Sequence, residues 1–282
     1  MILLPSGSGF EAVLELRNFD AIHEVELTVG TFKVPMDYNR PLNASDDNPK
    51  VHIALLMVPG KHTGSQNYST SPLLLNPGGP GGSGFMIALA LGDKIQKIVG
   101  EDQDVIGFDP RGIGATMPRA DCFSYPLEEA DAETSFNTDK EDYVGGNFHR
   151  MMWSLSGKEI GLVNSSSRSL HKLDTRARAL AKLCTEKDSL YGKDSILKYA
   201  HTPSVARDMI SIIDAWDAWT ESEKDTSLSR CGRFENVVED EQPADLHEGD
   251  VNQVPDTKGK LVYWGFSYGV SFIFHIRSPH LD

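Results

Sequence analysis

The stretch that most constrains this chain is Tyr263-Trp264-Gly265-Phe266-Ser267-Tyr268-Gly269. It reads as the end of a strand, a sharp turn with a serine at its apex, and the start of a helix. This is the Gly-x-Ser-x-Gly pattern of a nucleophile elbow, with Ser267 as the candidate nucleophile. A turn this tight leaves no room for side chains at Gly265 and Gly269, which face the following helix and the neighbouring strand. A serine hydroxyl is a poor nucleophile at neutral pH. It needs a neighbouring base, and its tetrahedral product needs hydrogen-bond donors aimed at the oxyanion. One donor in such a turn is the backbone N–H of the next residue, here Tyr268, and the other comes from a loop after an earlier strand.

The chain offers such a loop. Ser71 to Leu75 reads as a short apolar strand and runs into Asn76-Pro77-Gly78-Gly79-Pro80-Gly81-Gly82-Ser83-Gly84. The run opens a helix, with Met86, Leu89 and Ala90 expected on one face, and a helix N-terminus favours negative charge. No G-K-[ST], the mark of a phosphate loop, follows it. Val105 to Phe108 is another short buried strand, ending in Asp109-Pro110-Arg111-Gly112-Ile113-Gly114. Continuous apolar strands separated by helical segments argue for an α/β fold, with a mostly parallel sheet covered by helices on both faces.

Before these strands, residues 21–38 alternate in part and Val51 to Val58 is apolar, with an Asn/Asp/Pro-rich turn between them. They read as an antiparallel start to the sheet. Residues 120–200 form a polar, mostly helical insertion. Its best helix spans about 168–188, with Leu170, Leu173, Ala177, Leu180 and Cys184 at helical spacing. A further helix starts with Thr202 as cap and Pro203 at its first position, and carries Val205, Met209, Ile212, Trp216 and Trp219 as a core-facing stripe. Residues 221–258 are acidic and without period, a surface loop. A strand from Lys260 to Trp264 feeds the elbow, and a helix from Tyr268 to about Arg277 leaves it.

Composition narrows the partners. With 27 basic and 41 acidic residues among 282, the net charge is −14, which disfavours nucleic acid as a partner. No apolar run reaches the ~20 residues of a membrane span. The apolar N-terminus breaks at Pro5, too short for a signal peptide. Neither C-x-x-C nor H-E-x-x-H occurs, so no metal or other cofactor is predicted. Three cysteines, Cys122, Cys184 and Cys231, allow one pair and a free thiol. Sequons begin at Asn43, Asn67 and Asn164.

The glycine-rich loop, the Gly107-to-Gly114 segment and the elbow occur in this order. Together they resemble the tripeptidyl-aminopeptidase-like serine hydrolases of the α/β-hydrolase fold, relatives of the proline iminopeptidases. Val34-Pro35-Met36-Asp37-Tyr38 resembles the family's opening segment. Thr202-Pro203-Ser204-Val205-Ala206-Arg207-Asp208 resembles the helix before its elbow strand. The resemblance spans about residues 30–270. It implies Ser267 as nucleophile, and Gly79, Gly78 and Tyr268 as the oxyanion hole. It implies a peptide or small acyl substrate, and a loop braced by an ion pair and hydrogen bonds of Asp109 and Arg111. It also implies a disulfide between Cys122 and Cys184, as in secreted relatives.

The fold delivers its triad in the order serine, acid, histidine. Fifteen residues follow Ser267, holding His275, His280 and Asp282. On a helix His275 would lie ~12 Å along the axis from the serine, beyond hydrogen-bond reach. His201 and His247 read as surface histidines. Bulky residues, Val270 to His275, follow the elbow where the family has small ones. The chain is therefore expected to be the N-terminal part of such a domain. The last strands, the acid and the histidine would then be missing, and solubility would be poor. Three readings stay open: a serine peptidase acting on peptide N-termini, another acyl hydrolase such as an esterase, and an inactive fragment.

Overall fold

The structure is a computed structural model. It describes residues 2–3, 13–19, 27–40, 48–62, 68–126, 143–231 and 257–272. Seven strands form one sheet: β1 (Ile2–Leu3), β2 (Val13–Phe19), β3 (Leu27–Pro35), β4 (Lys50–Val58), β5 (Leu73–Asn76), β6 (Val105–Phe108) and β7 (Val262–Gly265). Their spatial order is β1-β2-β3-β4-β6-β5-β7. The helices are α1 (Gly84–Val99), α2 (Tyr143–Lys158), α3 (Ser169–Tyr191) and α4 (Thr202–Cys231). None among the described residues is long and apolar enough to cross a membrane.

The sheet is mixed rather than mostly parallel. Pairing is antiparallel from β1 through β4 and on to β6, and parallel only between β6, β5 and β7. Connection length explains the split. Residues 36–49 return the chain from β3 into β4, with Phe32 opposite Ile53, whereas the longer connection through α1 carries it back over the sheet between β5 and β6. Of the strands expected from sequence, Val105–Phe108 falls on its expected residues and the others lie within a few residues of theirs.

Helices cover both faces. On one, α4 contributes Val205, Met209, Ile212, Ile213 and Trp216 to a core with Phe32, Ile53, Leu74, Ile106 and Phe108. Trp216 and Trp219 meet edge-to-face at 5.0 Å, the core role expected of them. On the other, Ala88 and Ile95 of α1 pack on Leu56, Val58, Leu75 and Val105.

Helix α1 turns a different face to the sheet than expected. Gly84, Ala88, Gly92 and Ile95 are buried, whereas Met86 and Leu89 are 56% and 48% exposed. Contact with the strands is too close for larger side chains. A Cβ on Gly107 would meet the Gly84 carbonyl and lie 2.5 Å from the Ala88 Cβ. The stripe on α3 is likewise only partly covered, with Leu170 63% exposed.

Two further boundaries move. Helix α4 continues to Cys231, so residues 221–231 are helix and not loop; they hold neither Gly nor Pro to stop it. Residues 232–256 of the acidic stretch, with His247, and residues 273–282 with their two histidines lie outside the described residues. A disulfide joins Cys122 to Cys184, 62 residues apart, and ties the loop after β6 to α3.

Candidate active site

Strand β7 ends at Gly265, and Ser267 begins a 3-10 turn, Ser267–Val270, that runs into α-helical Ser271 and Phe272; the rest of the helix expected to about Arg277 lies outside the described residues. Ser267 has φ 51°, the one positive φ of a non-glycine residue among the described residues. This left-handed conformation is unfavourable for a side chain and recurs at functional sites. It lifts the serine out of the sheet, and the residue is exposed. The turn is pinned from within and from β5. The Gly269 N–H donates to the Phe266 carbonyl at 2.8 Å, and the Phe266 N–H to the Asn76 carbonyl at 3.0 Å. Tyr263 Oη donates to the Gly269 carbonyl at 2.8 Å. Burial holds the Tyr263 hydroxyl well above the ordinary phenol range, so it stays a donor.

The glycine-rich loop leaves the end of β5, which pairs with β7. Gly78 has φ 81°. A Cβ there would collide with the Phe266 carbonyl and sit 2.9 Å from the backbone nitrogens of Tyr268 and Gly269. Loop and elbow thus touch backbone to backbone, and Gly78 is the residue that permits it. The Gly78 N–H donates to Asn76 Oδ1 at 2.7 Å, and its carbonyl accepts from the Gly82 N–H at 2.8 Å.

Asp109 and Arg111 both brace this region, but by separate partners. Asp109 Oδ1 accepts from Ser83 Oγ at 2.6 Å and from the Phe85 N–H at 3.1 Å, while Oδ2 accepts from the Ala115 N–H at 2.8 Å. Ser83 in turn caps α1 through the Met86 N–H. The letters Gly79 to Gly84 also fit G-x-G-x-x-G. A dinucleotide site would need a carboxylate beyond the next strand to face a ribose, and Asp109, in that place, is buried and committed to the loop itself.

The Arg111 side chain is buried and forms a two-pronged ion pair with Asp208 of α4, Nε–Oδ2 at 2.8 Å and Nη2–Oδ1 at 2.6 Å. It also donates to the carbonyls of Met36 and Pro35. Tyr38 donates to Asp208 Oδ1 at 2.7 Å and lies under the guanidinium, 5.2 Å from ring to carbon. Complete burial pushes the Asp208 carboxyl up, against the pull of Arg111 and the Tyr38 hydroxyl. Burial and the Asp208 charge keep Tyr38 protonated. Three segments that the sequence marks only as familiar text, around Tyr38, Arg111 and Asp208, meet in this one node.

Beside the elbow lies a cleft of about 350 Å3, whose lining includes Asn76, Gly78, Pro110, His201, Thr202 and Tyr268. Thr202 does not cap α4; its hydroxyl pairs with Tyr268 Oη at 2.6 Å. The cap is His201, whose Nδ1 accepts from the Ser204 N–H at 3.3 Å. His201 is exposed, as expected, yet it has both a capping role and a place in the cleft wall. Burial of its ring, then the positive charge of Arg111, lowers its pKa.

Among the described residues the Ser267 hydroxyl has no hydrogen-bond partner, and no histidine is brought to it. Asp104, His62 and Ser69 do assemble elsewhere, at the opposite end of β6. There both the serine hydroxyl, at 2.6 Å, and the imidazole, at 3.2 Å, contact the carboxylate. A catalytic relay would place the imidazole between the other two.

No family model matches the chain. The chain is 40% identical over 95 residues to serine protease Hip1 of Mycobacterium tuberculosis, covering 34% of this chain and 16% of that protein. It is 28% identical over 182 residues to the tripeptidyl aminopeptidase of Streptomyces lividans, covering 64% of this chain and 27% of that one. Carboxylesterase B of M. tuberculosis is 34% identical over 93 residues, covering 33% and 16%. The chain thus spans about a quarter or less of the length of the curated relatives it matches. Its similarities are to hydrolases that include a serine protease and an aminopeptidase.

Proposed function

We propose that this chain carries the nucleophile and oxyanion elements of a serine acyl hydrolase of the α/β-hydrolase fold. The observation that carries the reading is Ser267 in a left-handed turn, pressed backbone to backbone against the Gly78 loop. In this reading Ser267 Oγ attacks the substrate carbonyl carbon while its proton passes to a histidine base. The leaving amine or alcohol departs with a proton from that base, and water then releases the acyl group. The Tyr268 and Gly79 N–H groups donate to the oxyanion. Gly78 serves the hole by shape, because its own N–H is engaged by Asn76. The base and its orienting carboxylate are not supplied by the described residues.

A peptide is the proposed substrate, cleaved near its N-terminus. Support comes from the similarity to a tripeptidyl aminopeptidase, which covers the largest share of this chain among the three relatives above. The unpartnered hydroxyl of Ser267 favours a second reading, a binding or inactive chain. A fluorophosphonate probe separates the two. Labelling of the wild type, absent in Ser267→Ala, is expected for the hydrolase, whereas an unlabelled wild type rejects it. Matched peptide anilide and ester substrates then rank peptidase against esterase.

A further inference from the structure

The residue after the elbow serine reaches well beyond its own turn. The Tyr268 side chain crosses to the first residue of α4, where its Oη meets Thr202 Oγ1 at 2.6 Å. Either oxygen can donate in such a pair. The ring is held a second time by Phe272, edge-to-face at 5.7 Å. Tyr268 and Thr202 both line the cleft beside the elbow. Tyr268 is 36% exposed, so packing alone does not fix where its ring sits.

The backbone shows what such an anchor can do. Before the serine, the turn is pinned by the Phe266 N–H on the Asn76 carbonyl. After it, the pin is Gly269, which donates to the Phe266 carbonyl and accepts from Tyr263 Oη. Ser267 and Tyr268 lie between these two pins, and the peptide group that joins them carries the Tyr268 N–H. Ser267 holds a strained φ of 51°. Relaxing that angle turns the peptide group that follows and re-aims the N–H. The Tyr268 side chain opposes this motion from outside the turn. Its far end is tied to a firm support, because α4 is locked to the loop after β6 by the buried Asp208–Arg111 pair.

We propose that the Tyr268–Thr202 bond is a positioning device for the oxyanion hole, in which Thr202 holds Tyr268 so that its N–H stays aimed at the carbonyl oxygen of the substrate. The inference rests on the hydrolase reading, with Ser267 as nucleophile and the Tyr268 N–H as donor. A neutral hydrogen bond at the surface adds little to folding, whereas a donor out of line slows the chemical step. The effect therefore falls on rate rather than on stability or affinity.

The test reacts the full chain with a fluorophosphonate, whose phosphonyl oxygen takes the place of the oxyanion, and separates the maximal labelling rate from the half-saturating concentration. Tyr268→Phe and Thr202→Val should each lower the maximal rate about 10-fold. The half-saturating concentration and the melting temperature should stay close to those of the wild type. Thr202→Ser keeps a hydroxyl and should label at nearly the wild-type rate. Joining Tyr268→Phe to Thr202→Val should cost no more than either alone, because both break the same bond. An unchanged rate in either single variant overturns the proposal, as do additive losses in the double variant or a slow Thr202→Ser. A melting temperature that falls along with the rate makes the bond structural and overturns it too. A wild type that does not label rejects the nucleophile reading itself, an outcome distinct from labelling that ignores the two hydroxyls.

Discussion

Ser267 holds a backbone angle that disfavours its own side chain, and that conflict is measurable. A non-glycine residue in the left-handed region carries strain of about 1–3 kcal/mol. Ser267→Gly removes it and Ser267→Ala retains it. The glycine variant is expected to be more stable than the alanine variant by about 1 kcal/mol in urea unfolding, although both lose the hydroxyl. Equal stabilities would mean that the turn relaxes to an ordinary conformation. The serine and the two glycines of the elbow were legible in the sequence because their spacing is set by local backbone geometry. The tight approach of Gly78 was legible only as a glycine, since the surface it must fit, the Phe266 carbonyl, comes from text far along the chain. Asn76 was legible only as the start of the glycine-rich run; that its carbonyl accepts from Phe266 while its Oδ1 accepts from Gly78 becomes visible only once its neighbours have taken their places.

Helix α4 supplies two tests through its first turns. Its cap is an imidazole, and only the unprotonated Nδ1 accepts from the Ser204 N–H. The His201 pKa is lowered in the folded protein from 6.5. The unfolded chain therefore binds the proton first as pH falls, and stability declines below about pH 6.5 until the folded histidine also protonates. The melting temperature of the wild type should drop more between pH 7 and 5 than that of His201→Asn, and parallel curves would remove His201 from the account. One turn further on, Asp208→Asn leaves the buried Arg111 guanidinium without its counter-charge. A loss of about 3–5 kcal/mol is expected from denaturant unfolding. The start of α4 was readable from Thr-Pro, yet which side chain caps it was not. Thr202 is drawn instead to Tyr268, 66 residues away. Helix α1 taught the reverse lesson: the larger apolar residues mark a face by hydropathy, but close packing against β6 selects the small ones.

Across the molecule, the disulfide closes a loop of 62 residues that contains α2 and much of α3. By chain entropy such a closure stabilises by about 4 kcal/mol. Reduction, or Cys122→Ser with Cys184→Ser, should lower the melting temperature; an unchanged melt would show that the insertion unfolds independently of the sheet. The α/β class and the helices on both faces were legible from alternating apolar strands and amphipathic stretches. The antiparallel pairing of β3 with β4 was legible as two runs joined across a turn, whereas β1, β2 and the antiparallel pairing of β4 with β6 were not, because strand direction depends on how each connection travels and short apolar strands read alike either way. The node of Tyr38, Arg111 and Asp208 bears on any attempt to retune the cleft. Arg111 reaches the cleft wall while its charge is fully used behind it, so it is a poor position for a library despite its place. Ile113 and Ala200 line the same space without belonging to that node or to the buried core. Variation there would alter which substrates are accepted while the frame that orients the elbow stays intact.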